Sequence, residues 1–327
     1  MSDGRASIEL AIETHGLTKR FGRQTVVDGI DLAVPRGSVF GFLGPNGSGK
    51  TTTIRVLLGL ANATRGEIRM LGREVPRQLA QVLPRVGALV EGPGFYPYLS
   101  GAANLRRLDI ADRYAASSTR NARVDEALDR VGLTQAAGKR VHAYSLGMKQ
   151  RLGIANALLT PRDLIVLDEP TNGLDPQGTR EVRHLVRSLT AEGTTVFVSS
   201  HLLAEVEQMC THVAVMRTGS LVAQGTLDEL RRAGTASVQV LTPDFGHARA
   251  VLASLGLAPG EPQHPSLQRT TEHDRAISAP LPEQLNPDAI VAALVRDGVR
   301  VNGFAVERAT LEELFVALTG EGFDVAQ

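Results

Sequence analysis

From residue 8 to residue 43, apolar and polar positions alternate in short runs rich in β-branched residues. This predicts strands at Ile8–Glu13, Thr25–Val27, Ile30–Val34 and Val39–Leu43, punctuated by Gly22, Gly29 and Pro35-Arg36-Gly37. The spacing then turns helical over Thr52–Leu60, and Gly66–Leu71 and Arg85–Val90 read as further strands. Between Gly101 and Leu133, apolar Leu105, Leu108, Ile110, Val124, Leu128 and Val131 sit among many charges, predicting two or three amphipathic helices with a solvated face. A helix at Leu152–Leu159 leads to an uninterrupted apolar strand, Leu164-Ile165-Val166-Leu167, of the kind buried in a parallel sheet. A helix to about Leu189, a buried strand Thr194–Val198, a hairpin of Val213–Met216 with Leu221–Gln224, and a capped helix Thr226–Arg232 complete the first part.

Beyond Gly234 the pattern changes. Strand 236–241, helix 245–255, weak strands near 266–270 and 275–280, helix 287–297, strand 299–306 and helix 310–319 follow in turn. That β-α-β-β-α-β order suits a small α+β ferredoxin-like sandwich, with the Pro-rich 259–265 stretch separating its pieces. Two domains, 1–232 and 236–327, fit a chain of 327 residues.

The first domain is organised around Gly44-Pro45-Asn46-Gly47-Ser48-Gly49-Lys50-Thr51, followed by Thr52. It lies between a strand and a helix, the context that gives G-x-x-x-x-G-K-[ST] its meaning. Glycines let the loop turn its amides toward one anion, and the helix start adds unpaired N–H groups and a positive dipole end. Lys50 is then placed for the β- and γ-phosphates of a nucleoside triphosphate, and the Thr51 hydroxyl for Mg²⁺. A glycine-rich surface turn is the alternative, and the complete motif in its proper context argues against it.

Other candidate groups fall into place around that loop. The apolar strand ends on Asp168-Glu169; Asp168 suits a second Mg²⁺-holding acid, and Glu169 a general base beside the γ-phosphate. His201 is the one histidine of eight at the carboxyl end of a clear apolar strand. Phe21, ahead of the phosphate loop, can stack on an adenine base or fill the core. Tyr144-Ser145-Leu146-Gly147-Met148 opens a helix, with Ser145 a good N-cap, and offers a second anion site. Phe95, Tyr96 and Tyr98 fall among helix breakers in a loop suited to a partner surface or to local packing.

Composition narrows the setting. The net charge is zero, with a balance of +4 over residues 1–230 and −4 from 231 onward, so no basic field asks for nucleic acid. A single cysteine, Cys210, excludes an internal disulfide and fits a reducing compartment. The chain shows neither a secretory leader nor an apolar run of about 20 residues. The expectation is a cytoplasmic protein, brought to any membrane by a partner.

Taken in order, Phe21, the phosphate loop at 44–51, Tyr144–Met148, Asp168-Glu169, Asn172–Asp175 and His201 resemble the ATP-binding subunit of an ABC transporter over about residues 8–230. The resemblance implies a P-loop NTPase: a RecA-like α/β core, an antiparallel β subdomain, and an α-helical signature subdomain at about 92–160. It implies a homodimer or heterodimer enclosing two ATP molecules, each between one phosphate loop and the partner's signature segment. In that arrangement Ser145, Leu146, Gly147 and Met148, with Asp175, belong to the nucleotide interface, and His201 senses the γ-phosphate. Tyr144–Gln150 and an ending like Leu311-Glu312-Glu313-Leu314-Phe315 are similar to the exporters whose separate membrane permease is of the ABC-2 type, bacterial drug-resistance pumps among them. Glu91 stands where that family usually has a Mg²⁺-linked glutamine, and Leu146 replaces a signature glycine. The implied location is the cytoplasmic face of the cell membrane. A soluble ABC ATPase of translation or DNA repair is the rival, and the single motif set and absence of a heptad insert weigh against it. A GTPase would need an Asn-Lys-x-Asp motif, which is absent.

Overall fold

The computed structural model describes residues 9–90, 94–112, 114–233, 236–261, 274–282 and 284–308. The chain divides into two compact units between Leu227 and Asp228, ahead of most of the helix expected to close the first domain.

In the first unit, β1 (Leu10–Phe21), β2 (Gln24–Ile30), β3 (Ala33–Pro35) and β4 (Val39–Leu43) precede α1 (Lys50–Leu57). Next come β5 (Arg65–Met70), β6 (Arg73–Val75), the short α2 (Leu79–Val82) and β7 (Val86–Leu89). The helical subdomain contains α3 (Gly101–Ala111), α4 (Arg120–Arg130) and α5 (Leu146–Ala157). The chain returns through β8 (Leu164–Asp168), α6 (Pro176–Ala191), β9 (Thr195–Ser200), α7 (Leu203–Met209), β10 (His212–Arg217) and β11 (Ser220–Thr226).

Two sheets result. The antiparallel sheet runs β2-β1-β5-β6, with β3 also paired to β1. The larger sheet runs β11-β10-β4-β9-β8-β7, parallel throughout except for β11. Every residue of β4, β8 and β9 is buried, which is why these segments read as continuous apolar runs. Phe197 lies 5.8 Å from Phe40 and 5.3 Å from Phe42 between ring centroids, fixing the centre of the core.

The largest departure from the expected strands is at β1, which continues through Leu17–Phe21. Its pairing with β5 shifts register between His15 and Thr18, and Gly16 has φ 58. Such a bulge breaks the alternation from which strands are read. Helix α5 also begins earlier than expected, because Ser145 caps it at Leu146.

The second unit follows α8 (Leu227–Ala233), whose first residue belongs to the first unit. It contains β12 (Ala236–Thr242), α9 (Phe245–Ser254), β13 (Arg275–Pro280), α10 (Pro287–Arg296) and β14 (Gly303–Arg308). The sheet order is β13-β12-β14, antiparallel at both pairings. Val238, Val240, Leu252, Ile277, Ile290 and Leu294 form its core. A ferredoxin-like sandwich needs a fourth strand; the segment expected to supply it, 266–270, lies outside the described residues, as does the expected helix 310–319.

Candidate active site

Register builds this site. In the parallel sheet Leu43 pairs with Ser200, and Asp168 pairs with Ser199. The carboxyl ends of β4, β9 and β8 are therefore neighbours, and the three motifs that follow them converge where α/β sheets bind ligands.

The phosphate loop has glycine where the backbone requires it. A Cβ on Gly44 would stand 2.7 Å from both the Met216 carbonyl oxygen and Ser48 Oγ. Gly49 has φ 105, and a Cβ there would stand 2.7 Å from the Val26 carbonyl oxygen. Gly47 has φ 80, left-handed backbone in otherwise open space. Pro45 and Asn46 complete the turn, and Lys50 begins α1. Its ammonium is buried, donating to the carbonyls of Gly44 at 2.7 Å and Pro45 at 3.3 Å, and lies 3.3 Å from Glu169 Oε1. Thr51 and Thr52 are half-buried in the first turn. Ser48 Oγ is buried and has no hydrogen-bond partner. A buried hydroxyl left unsatisfied costs about 1–3 kcal/mol.

On the opposite wall, Asp168 ends β8 almost fully buried. Ser199 Oγ donates to its Oδ1 at 2.5 Å and accepts from the Glu169 amide at 2.9 Å. Glu169 has φ 48, a left-handed conformation that an unbranched non-glycine residue holds only with support. Support comes from Ser199 and from Gln150 Nε2, which donates to the Glu169 carbonyl at 3.3 Å. The Glu169 carboxylate spans the site, with Oε1 toward Lys50 and Oε2 at 2.7 Å from His201 Nδ1. An ammonium, a carboxylate and an imidazole thus form one chain of contacts. Neither Ser199 nor Gln150 is distinguishable in the sequence: one is a polar residue ending an apolar strand, the other one charged-face residue among several.

The remaining candidates separate. The Phe21 ring is 53% exposed, with Lys19 Nζ over it at 4.6 Å from its centroid, so the core reading fails. Tyr144 faces inward. Its side chain is buried, its hydroxyl donates to the Ala136 carbonyl at 2.7 Å, and burial raises its pKa. The ring packs beside Gly101, where a Cβ would meet the hydroxyl oxygen, so Tyr144 joins the signature segment to α3. Ser145 is exposed and accepts from the Met148 amide at 3.2 Å. Leu146 is 59% exposed and lies over Gly173, while Gly147 faces Leu174. Met148 is half-buried. The Asp175 carboxylate accepts from the Gly178 amide at 2.8 Å and caps α6. Glu91 lies outside the described residues. The aromatic loop is outward-facing at Tyr96 and Tyr98, which are 55% and 76% exposed. Fully buried Asn104 holds that loop, accepting from the Tyr96 amide at 2.8 Å and donating to the Tyr96 and Ser100 carbonyls at 3.1 Å.

A family profile described as "ABC transporter" matches residues 27–172. The bacitracin transport ATP-binding protein BcrA of Bacillus licheniformis is 38% identical, across 95% of this chain and 98% of its own length. The chain belongs to the ABC transporter ATP-binding family. It is therefore an ATP-binding subunit and an ATPase. The daunorubicin/doxorubicin resistance ATP-binding protein DrrA of Streptomyces peucetius is 34% identical, across 96% of this chain and 94% of its own. A solved "ATP binding subunit of ABC transporter" matches with a TM-score of 0.61 at 29% identity, covering 69% of this chain and 93% of that one. The two sequence relatives extend over both compact units, and neither name points to translation or DNA repair. Among the described residues no helix is long and apolar enough to cross a membrane.

Proposed function

We propose that this ABC subunit pairs around ATP and powers export through a separate ABC-2-type membrane permease, working from the cytoplasmic face. The likeness to subunits named for bacitracin transport and daunorubicin resistance supports the export role. The exposed tyrosines of the 95–98 loop are the surface we assign to the permease. Ser145, at the exposed start of α5, is the group we assign to the partner subunit's γ-phosphate.

The observation that carries the chemistry is the Lys50–Glu169–His201 chain of contacts. Lys50 leaves Glu169 for the β- and γ-phosphates. The freed carboxylate takes a proton from water as its oxygen bonds the γ-phosphorus, and the bond to the β-phosphate oxygen breaks. His201, held by Glu169, orients that water. Thr51, in the first turn of α1, and Asp168, at the end of β8, are the residues we assign to Mg²⁺, a hydroxyl and a carboxylate being oxygen donors of the kind it takes. Mg²⁺ supplies neutralising charge to the phosphates. Glu169→Gln is expected to keep ATP affinity and dimer formation while lowering kcat by about 10²- to 10⁴-fold, as loss of a general base does. Near wild-type turnover would remove Glu169 from that role. Failure of the subunit to co-purify with a co-expressed ABC-2-type permease would remove the transport assignment.

A further inference from the structure

Glu169 and His201 come from different loops, one after β8 and the other after β9. What holds those loops in register decides whether base and imidazole meet. Ser199 ties them at the sheet edge, and His201 itself ties them in the middle. A third connection lies behind, on a residue that the catalytic chemistry does not use.

Glu205 is on α7 and is only 9% exposed. Its Oε2 accepts the hydroxyl of Thr171, in the loop beyond Glu169, and the hydroxyl of Ser200 at 3.2 Å, immediately before His201. Both donors are buried, with Thr171 at 6% and Ser200 at 1% exposure. Ser200 Oγ in turn accepts the Leu202 amide at 3.0 Å, fixing the backbone on the other side of His201. Beyond Thr171 the chain enters the Asn172–Asp175 turn, where Gly173 lies under Leu146 of the signature segment. One carboxylate oxygen therefore joins the histidine loop to the loop carrying the base and leading to the signature contact. Hydrogen bonds to an ionised acceptor are stronger than neutral ones, and in a buried place their loss is not made good by water.

We infer that Glu205 is a positioning residue for hydrolysis, setting His201 against Glu169 by holding Thr171 and Ser200 on a single oxygen. This rests on the hydrolytic roles proposed above for Glu169 and His201. Because both hydroxyls use the same oxygen, a carboxamide can replace the carboxylate. The geometry makes the acceptor, not the charge, the working part.

The test compares Glu205→Gln, Glu205→Leu and Thr171→Val in the full chain, with Glu169→Gln alongside, reading kcat, ATP Kd and melting temperature. Glu205→Gln is expected to stay within about threefold of wild-type kcat. Glu205→Leu should lose about tenfold or more in kcat, with Kd within about twofold, since small displacements of reacting groups cost rate before affinity. Thr171→Val, which removes one donor, should fall between, and it decides the matter if Glu205→Leu does not fold. Wild-type kcat in a folded Glu205→Leu, or in Thr171→Val when that variant decides, would overturn the inference. So would Glu205→Gln as slow as Glu205→Leu, or a fall in kcat accompanied by a rise in Kd and a fall in the melting temperature. If Glu169→Gln itself turns over normally, the fault lies in the assigned base and not in Glu205.

Discussion

Ser199→Ala is the sharpest test of how this site is held. The serine is fully buried, so removing one oxygen creates almost no cavity and admits no water. Its hydroxyl makes two bonds at once, donating to Asp168 Oδ1 at 2.5 Å and accepting from the Glu169 amide at 2.9 Å. A bond to a charged group contributes about 1.5–3 kcal/mol, and an amide left unpaired costs about 1–3 kcal/mol. Glu169 at φ 48 also loses a bond that keeps it in a conformation costing about 1–3 kcal/mol. Part of that strain is relieved when the loop relaxes, so the stability loss is expected to settle near 3 kcal/mol. Relaxation moves the Glu169 carboxylate away from its place between Lys50 and His201, and a shift of about 1 Å can cost about 10²-fold in rate. The assay is ATP turnover at saturating nucleotide, with a denaturant melt of the same sample. Ser199→Cys, which restores only a weak donor and acceptor, should recover little. A Ser199→Ala protein with wild-type kcat and an unchanged melt would refute the account of why Glu169 sits where it does.

Three further outcomes follow from other parts of the first unit. Asn104→Ala removes the buried amide bridging Tyr96 and Ser100, and should expose the 95–100 loop to limited proteolysis at a cost of about 2 kcal/mol or more. Asp109 is fully buried as a side chain and receives Arg123 Nη2 at 2.7 Å and Arg120 Nε at 2.9 Å; Asp109→Asn should destabilise the helical subdomain by about 3–5 kcal/mol in urea melts. Burial first, and the Glu205 charge second, push the Cys210 thiol up to about 12, so between pH 7 and 9 it stays protonated. Native protein should resist iodoacetamide through that range and react on unfolding; fast alkylation of folded protein would contradict the buried placement.

The sequence was most legible where one local requirement acts on consecutive residues. The strand and helix flanking residues 44–49, and β8, lie where the sequence places them, because strands buried on both faces leave continuous apolar runs. Legibility failed where a residue's role depends on a distant neighbour. Nothing in Val198-Ser199-Ser200-His201 separates the serine that faces Asp168 from the one that faces Glu205; only strand register does so. Tyr144 shows the same dependence on a distant neighbour. Its motif position says nothing of the Ala136 carbonyl that its hydroxyl meets. At β1 the bulge at Gly16 hid half of a strand by shifting its alternation.

The contacts of Lys50 set a competition for any anion. Its ammonium is already satisfied by two carbonyls and a carboxylate, so an arriving anion competes with contacts that are in place. Displacing Glu169 and meeting the loop amides both draw on the oxygens of the ligand. A chain of phosphates supplies more of them along one molecule, so ligand length enters the competition for Lys50.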